Sequence, residues 1–134
     1  ILASRPGAKA VVTDVCVPIS ALADAVEETR ADIAASGIKG PILGHVGDGN
    51  FHAILLVDPA DAGEVATAKS LAARMAERAL RLGGTITGEH GVGFGKLGLM
   101  PAEHGAALGV MAALKHALDP LGLMNPGKML PGQP

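Results

Sequence analysis

The alternation of strand-like and helix-like segments limits the folds open to this chain. The apolar, β-branched run at 8–19 predicts a strand, and a helix is predicted from 21 to about 36, capped by Ser20 and ended by Gly37. Two further strand-like runs, "GPILGHV" and "NFHAILLVD", lie on either side of Asp48-Gly49. The first part of the chain therefore predicts the order strand, helix, strand, strand.

A second helix and a further extended segment continue this order. Asp61 with Glu64 resembles a capping box, and the helix that it begins is predicted to end at Gly83-Gly84. "TITGEHG" then gives a fourth short strand, and Pro101 opens a last helix that is predicted to run to Asp119. The order β-α-β-β-α-β is that of a ferredoxin-like split sheet with antiparallel strands. We expect an α+β fold of this kind, with an extra C-terminal helix and an irregular tail.

The composition is typical of one compact domain, which we expect to span residues 1–134. Hydrophobic residues make up 49% of the chain, enough for a substantial core. The 11 basic and 13 acidic residues give no basic field for nucleic acid, and no apolar run approaches the roughly 18 residues of a spanning helix. We therefore expect no nucleic-acid partner and no transmembrane segment.

The start of the chain carries no recognisable targeting signal. The expected location is therefore the cytoplasm or the inner face of a membrane, where the protein would be peripheral. Because the first residue is Ile1, we expect a fragment of a longer protein.

The stretch "GHVGDGNFH" (44–52) places two histidines around an Asp-Gly pair. Asp-Gly between apolar runs is a strong signal for a two-residue type I′ hairpin turn. Such a turn would put His45 directly opposite His52, with Cβ atoms about 4.5–5.5 Å apart, on the face of the sheet away from the helices. Two imidazoles in this arrangement can bind one cation.

A second candidate segment, "GTITGEHGVG", supplies a carboxylate and another histidine. Glu89 and His90 lie between two glycines, which would let the chain turn so that both side chains serve one site. His45, His52 and Glu89 are therefore candidate ligands of Zn or Mn, and His90 is left for proton transfer. Asn125, which precedes a proline in the tail, is a turn-former or a ligand contact.

The residues alone leave three interpretations open. In the first, the residues form a metal site with open positions for a substrate. In the second, the chain is a free-standing metal-binding or hydrolytic ferredoxin-like module that activates water. In the third, the chain is a purely structural cap whose histidines pack on each other and bond to the backbone.

Four segments together resemble the C-terminal domain of FAD-linked oxidases of the vanillyl-alcohol-oxidase type. In chain order they are "RPGAKAVVTDVCVPIS", "GHVGDGNFHAILLVDP", "GGTITGEHGVGFGK" and "LDPLGLMNPGKML". Within that family the chain is most similar to the D-lactate dehydrogenases that pass electrons to cytochrome or quinone, with glycolate oxidase subunits near by. The likeness spans essentially the whole chain.

The resemblance implies a substrate-binding cap domain over FAD, which is bound mainly by a separate N-terminal domain of the same chain. It implies a divalent metal, Zn or Mn, held by His45, His52 and Glu89, with His90 as catalytic base and Asn125 near the flavin or substrate. The implied full-length enzyme is an FAD-dependent dehydrogenase of small D-2-hydroxy acids that oxidises D-lactate to pyruvate and passes electrons to cytochrome or quinone. Because this segment lacks the FAD domain and the family's substrate arginine, we expect the isolated fragment to be inactive.

Two departures from the family pattern bear on the substrate. Relatives that act on D-2-hydroxyglutarate carry a lysine just before the aspartate of the first strand, where this chain has Val11, Val12 and Thr13. They also carry an asparagine two positions after the second histidine, where this chain has Ile54. The resemblance therefore favours a small monocarboxylate over a dicarboxylate.

Overall fold

The computed structural model describes residues 1–130 and divides into two compact units, Ile1–Glu89 and His90–Pro134. The last four residues of the predicted irregular tail lie outside the described residues. The sheet and the two long helices belong to the first unit, and two shorter helices belong to the second. The prediction of a single domain over 1–134 stays a prediction.

The sheet of the first unit has four antiparallel strands around a long central strand. The strands are β1 (Lys9–Val12), β2 (Val15–Cys16), β3 (Ile42–His45) and β4 (Asn50–Val57). Both β2 and β3 pair with Phe51 of β4, so they lie on opposite edges of that strand, and β1 continues the β2 edge. The predicted strand at 8–19 is thus present but interrupted at Thr13 and Asp14.

Two helices follow the predicted pattern closely. The first, α1 (Leu22–Ser36), ends at Gly37 in the left-handed conformation, and the second, α2 (Ala62–Arg81), begins at Asp61. The Asp61 carboxylate accepts hydrogen bonds from the backbone N–H groups of the first turn, which confirms it as the cap. The prediction for Ser20 was wrong: it lies in a 3₁₀ turn (Ile19–Ala21) before α1, and no side chain caps that helix.

The core of the first unit lies between the sheet and these helices. Leu55 of β4 and Ile33 of α1 both lie against Gly40, so the face of β4 that carries Leu55 is turned towards α1. Successive strand residues point to opposite faces, and His52 therefore lies on the other face, as predicted. The largest fully buried side chains of this unit are Leu55, Leu56, Leu71, Met75, Ile86, Val15 and Thr29.

The second unit contains two helices where the sequence predicts one. They are α3 (Met100–His104) and α4 (Ala107–Leu118), and the prediction of one helix from Pro101 to Asp119 was wrong. The chain breaks at Gly105, which has a φ of 49° and a ψ of −124° that a helix cannot accommodate. Asp119 then follows α4 and accepts hydrogen bonds from the N–H groups of Leu123 and Met124, which folds the tail back.

The fold is therefore α+β, with four helices and an antiparallel four-stranded sheet among residues 1–130. The predicted fourth strand at "TITGEHG" is reduced to a bridge between Thr85 and Cys16. Within the part of the chain that the structure describes, no helix has both the length and the apolar character needed to cross a bilayer.

Candidate functional site

The hairpin that carries the two histidines differs in register from the prediction. His45 pairs with Asn50, and Leu43 is the residue directly opposite His52. The loop spans four residues, Val46–Asp48 in a 3₁₀ turn followed by Gly49 at a φ of 73°, so the predicted two-residue turn at Asp48-Gly49 was wrong. A loop two residues longer moves the pairing by two positions, which leaves His45 and His52 on the same face but diagonal to each other.

His52 is buried and held in one orientation. The residue is 5% exposed, and its Nδ1 lies 3.0 Å from the carbonyl oxygen of Thr13. That carbonyl is turned away from the usual ladder because the Thr13 hydroxyl accepts the Ala53 N–H in its place, at 2.7 Å. The interruption of the strand at Thr13 therefore provides the acceptor that orients the histidine.

Glu89 brings a carboxylate to both imidazoles. Its Oε1 lies 3.0 Å from Nε2 of His52 and 3.7 Å from Nε2 of His45. His45 has a side chain that is 64% exposed, and that of Glu89 is 48% exposed, so this side of the cluster is open to solvent. These distances bring Glu89 close to each histidine, and the predicted metal site of the three residues stays a prediction.

Asp14 fixes the segment that carries Glu89, a role that the sequence did not indicate. It is 2% exposed, and its carboxylate accepts hydrogen bonds from the Thr87 hydroxyl at 2.9 Å and from the Gly88 N–H at 3.0 Å. The Glu89 N–H lies 3.1 Å from the same oxygen, and the Asn50 amide donates to the other at 2.9 Å. The signal in the sequence was a charge inside an apolar strand, which requires hydrogen-bonding partners.

Position 88 has no room for a side chain, so glycine is required there. A Cβ at this position would lie 1.7 Å from Nδ2 of Asn50 and 2.9 Å from Oδ1 of Asp14. The predicted use of this glycine was a turn that lets neighbouring side chains serve one site. Its structural use is a close approach of the backbone to a buried carboxylate.

The donor set fits a divalent cation. Two imidazole nitrogens and a carboxylate oxygen are the ligands of many zinc sites, with bonds of about 2.0–2.2 Å. Ligands of one ion at such bond lengths lie about 3.0–3.5 Å apart. The 3.0 Å separation of His52 Nε2 and Glu89 Oε1 is in that range, whereas the 3.7 Å separation of His45 Nε2 and Glu89 Oε1 lies above it.

The remaining predicted site residues lie in the second unit. His90, the predicted base, is exposed and follows Glu89 directly in the chain. Asn125 is exposed, has a φ of 48°, and lines a cleft of about 290 Å³ within that unit together with Lys115 and Lys128. The roles predicted for both residues stay predictions.

Comparison with known proteins places the chain in a family. The family model described as FAD linked oxidases, C-terminal domain, matches residues 2–129. A probable mitochondrial D-lactate dehydrogenase of Danio rerio is 55% identical over 96% of this chain and 26% of the relative. A mitochondrial D-lactate dehydrogenase (cytochrome) of Arabidopsis thaliana is 42% identical over 96% of this chain and 23% of the relative.

A likeness over a shorter part of the chain broadens the group. The glycolate oxidase subunit GlcD of Escherichia coli K12 is 42% identical over 65% of this chain and 18% of the relative. The chain thus spans about a quarter or less of the curated relatives that it matches. With the family model matched over nearly its whole length, this chain belongs to the C-terminal domains of the FAD-linked oxidases.

Proposed function

We propose that this chain is the substrate- and metal-binding part of an FAD-dependent dehydrogenase that oxidises D-lactate to pyruvate. The observation that carries the proposal is the position of Glu89 Oε1, which lies 3.0 Å from Nε2 of His52 and 3.7 Å from Nε2 of His45, in a chain similar to D-lactate dehydrogenases. In the full-length protein, electrons would leave through FAD to a cytochrome or quinone.

The chemistry follows from the residues. Oxidation of a 2-hydroxy acid removes a proton from the hydroxyl and a hydride from the carbon that carries it. FAD, held mainly by the rest of the full-length protein, supplies the hydride acceptor, and a cation held by His45, His52 and Glu89 supplies positive charge for the substrate's hydroxyl and carboxylate oxygens. His90 takes the hydroxyl proton, and Asn125 contacts the flavin or substrate.

The substrate is proposed to be a monocarboxylate. The first strand presents Val12 and Thr13 before Asp14, and Ile54 follows His52 by two positions. Neither position offers a cation or an amide for a second carboxylate, which supports D-lactate or glycolate over a dicarboxylate. The free-standing hydrolytic module and the purely structural cap gain no support from relatives that are named as dehydrogenases and oxidase subunits.

We also propose that the sheet has the ferredoxin-like split arrangement. The bridge between Cys16 and Thr85 supports this arrangement, because it places the fourth extended segment beside β2. The predicted location, in the cytoplasm or at the inner face of a membrane, stays a prediction, and the relatives from Danio rerio and Arabidopsis thaliana are named mitochondrial.

The test uses the full-length protein. Purified with its flavin and supplied with a dye acceptor, it should oxidise D-lactate faster than glycolate and much faster than D-2-hydroxyglutarate. Removing metal with a chelator should abolish turnover, and Mn²⁺ or Zn²⁺ should restore it. Turnover that no chelator affects would contradict the metal site, and a lack of activity on all three acids would contradict the proposed reaction.

A further inference from the structure

We propose that Asp14 is a positioning residue, which places Glu89 against His52 by holding the backbone of residues 87–89. This inference rests on the proposed function, because Glu89 and His52 are the proposed metal ligands. Asp14 itself is buried and would contact neither substrate nor cation.

The hydrogen bonds of Asp14 are concentrated on one short segment. Oδ2 accepts from the Thr87 hydroxyl, the Gly88 N–H and the Glu89 N–H at 2.9, 3.0 and 3.1 Å. Three consecutive residues are therefore bound to one carboxylate oxygen. Glu89 is the last of these residues, so Asp14 holds the backbone from which the Glu89 side chain extends.

The other carboxylate oxygen ties this segment to the hairpin. Oδ1 accepts from the Asn50 amide at 2.9 Å, and Asn50 is paired across the sheet with His45. The same oxygen lies 3.6 Å from Nδ1 of His52. Asp14 thus connects the strand that carries His52, the hairpin that carries His45 and the segment that carries Glu89.

The position of Asp14 in the strand explains why one residue can do this. The strand is interrupted at Thr13 and Asp14, where the Thr13 carbonyl turns to Nδ1 of His52. Consecutive residues thus orient the two ligands, Thr13 through the ring of His52 and Asp14 through the backbone of Glu89. Groups that orient metal ligands in this way typically change metal affinity by about 10–100-fold when they are removed.

The test compares variants of the full-length protein that change this hydrogen-bond cluster either at the acceptor, Asp14, or at a donor, Thr87. Asp14→Asn removes the charge and gives the buried site a donor where it needs an acceptor. Because that change can prevent folding, Thr87→Val provides a second route: it removes one donor to Asp14 at nearly constant volume. Thr87→Ser keeps the hydroxyl, and Thr67→Val is a matched control, since the Thr67 hydroxyl donates to the Gly63 carbonyl on the exposed surface of α2.

Two measurements are made on each protein. The first is amide hydrogen exchange in peptides that cover residues 87–89, measured by mass spectrometry after metal removal. The second is the dissociation constant of added Mn²⁺ or Zn²⁺, together with the metal concentration that restores half of D-lactate turnover.

Asp14→Asn and Thr87→Val should speed exchange at 87–89 and raise the metal dissociation constant, by about 10-fold or more for Asp14→Asn. Turnover should return at high metal, which loss of the fold would not allow, and Thr87→Ser and Thr67→Val should behave as wild type. Unchanged exchange in Thr87→Val and Asp14→Asn overturns the proposal, as does faster exchange with unchanged metal affinity. If the wild-type protein binds no metal, the proposed function fails, and exchange at 87–89 alone decides the positioning role.

Discussion

The backbone carbonyl of Thr13 lies 3.0 Å from Nδ1 of His52, and this contact orients the ring. A carbonyl oxygen only accepts, so Nδ1 is the donor in this contact. The other nitrogen, Nε2, is the one that faces Glu89 at 3.0 Å. The contact at Nδ1 thus holds the buried ring so that Nε2 faces the carboxylate of Glu89.

The two histidines should therefore differ when each is replaced by alanine. His52→Ala removes a buried, hydrogen-bonded ring and should lower the free energy of unfolding by about 1–3 kcal/mol. His45→Ala removes an exposed ring and should change it by less than about 0.5 kcal/mol. Both replacements should weaken metal binding. Titration with Mn²⁺ or Zn²⁺ would measure the binding, and denaturant unfolding would measure the stability. Equal losses of stability would contradict the different burial of the two rings.

Glu89 and His90 are neighbours in the chain but should fail in different ways in the full-length enzyme. Glu89→Gln removes a negative ligand, so metal affinity should fall and excess Mn²⁺ or Zn²⁺ should restore part of the turnover by mass action. His90→Ala removes the proposed base, with a rate loss of about 10²–10⁴ that added metal should not restore. Bound metal and turnover across a metal titration distinguish the two. Full rescue of His90→Ala by metal would exclude the role of base.

Gly88→Ala should disturb the site without touching a ligand. The added Cβ would meet Nδ2 of Asn50 at 1.7 Å and Oδ1 of Asp14 at 2.9 Å, and both side chains are buried. Overpacking of this kind costs about 1–3 kcal/mol. Thermal unfolding and metal affinity should both be affected, whereas Gly47→Ala, where a Cβ meets nothing, is the control. A Gly88→Ala variant with wild-type stability and metal affinity would contradict the close approach.

Acid should remove the stabilising effect of Glu64. Its carboxylate accepts two hydrogen bonds from Arg5, at 2.7 and 2.8 Å, and one from the Asp58 N–H. The bonds from Arg5, and after them the Asp58 N–H, hold the pKa of Glu64 below its ordinary value. Because unfolding returns the pKa to about 4.3, these bonds stabilise the fold above that pH, and the effect is lost as the pH falls through the lower, folded pKa.

Glu64→Gln should therefore lower the Tm at pH 7, and the difference from wild type should shrink towards zero below about pH 4. Glu77→Gln, an exposed carboxylate on the same helix, should leave the Tm nearly unchanged across the range. Thermal melts followed by circular dichroism from pH 7 to pH 3 make the comparison. A Glu64→Gln difference that stays constant with pH would show that the carboxylate is not involved.

Arg78 should contribute more to stability than Arg81. The Arg78 side chain is 10% exposed and donates to Glu28 at 2.7 Å, to Thr29 at 2.9 Å and to Asp32 at 2.6 Å, joining α2 to α1. Arg81 is 59% exposed and bonds only to Glu28 among the contacts seen in residues 1–130. Arg78→Ala should cost about 1–2 kcal/mol and Arg81→Ala about 0.5 kcal/mol or less in urea unfolding. Equal effects would mean that burial does not decide the strength of these ion pairs.

Residue patterns predicted the face of the sheet better than the register. Alternation along β4 puts His52 on the face away from the helices whatever the turn, and an error of two positions keeps His45 on that face. The turn itself was predicted wrongly, because Asp48-Gly49 permits several loops and local residues do not choose among them. Gly105 is a similar case, since one glycine in a helical pattern does not reveal that the helix breaks there.

The role of Asp14 was beyond sequence reasoning for a different reason. Its partners lie at 50 and at 87–89, and nothing in the local pattern around Asp14 indicates which segment supplies them. A charge within an apolar strand shows only that partners exist. The hydrogen bonds of Asp14 depend on the tertiary fold, because only the folded sheet brings these segments together.

The separation along the chain between Asp14 and Glu89 has a consequence for how the protein is made. The hydrogen bonds between Asp14 and residues 87–89 join positions 73 to 75 apart, and a contact of that span forms only after the intervening loop has closed. During synthesis the histidines emerge long before the carboxylate does. A nascent chain thus passes through a period in which His45 and His52 are present without Glu89. The proposed binding of a cation by all three must therefore wait until nearly the whole first unit has left the ribosome.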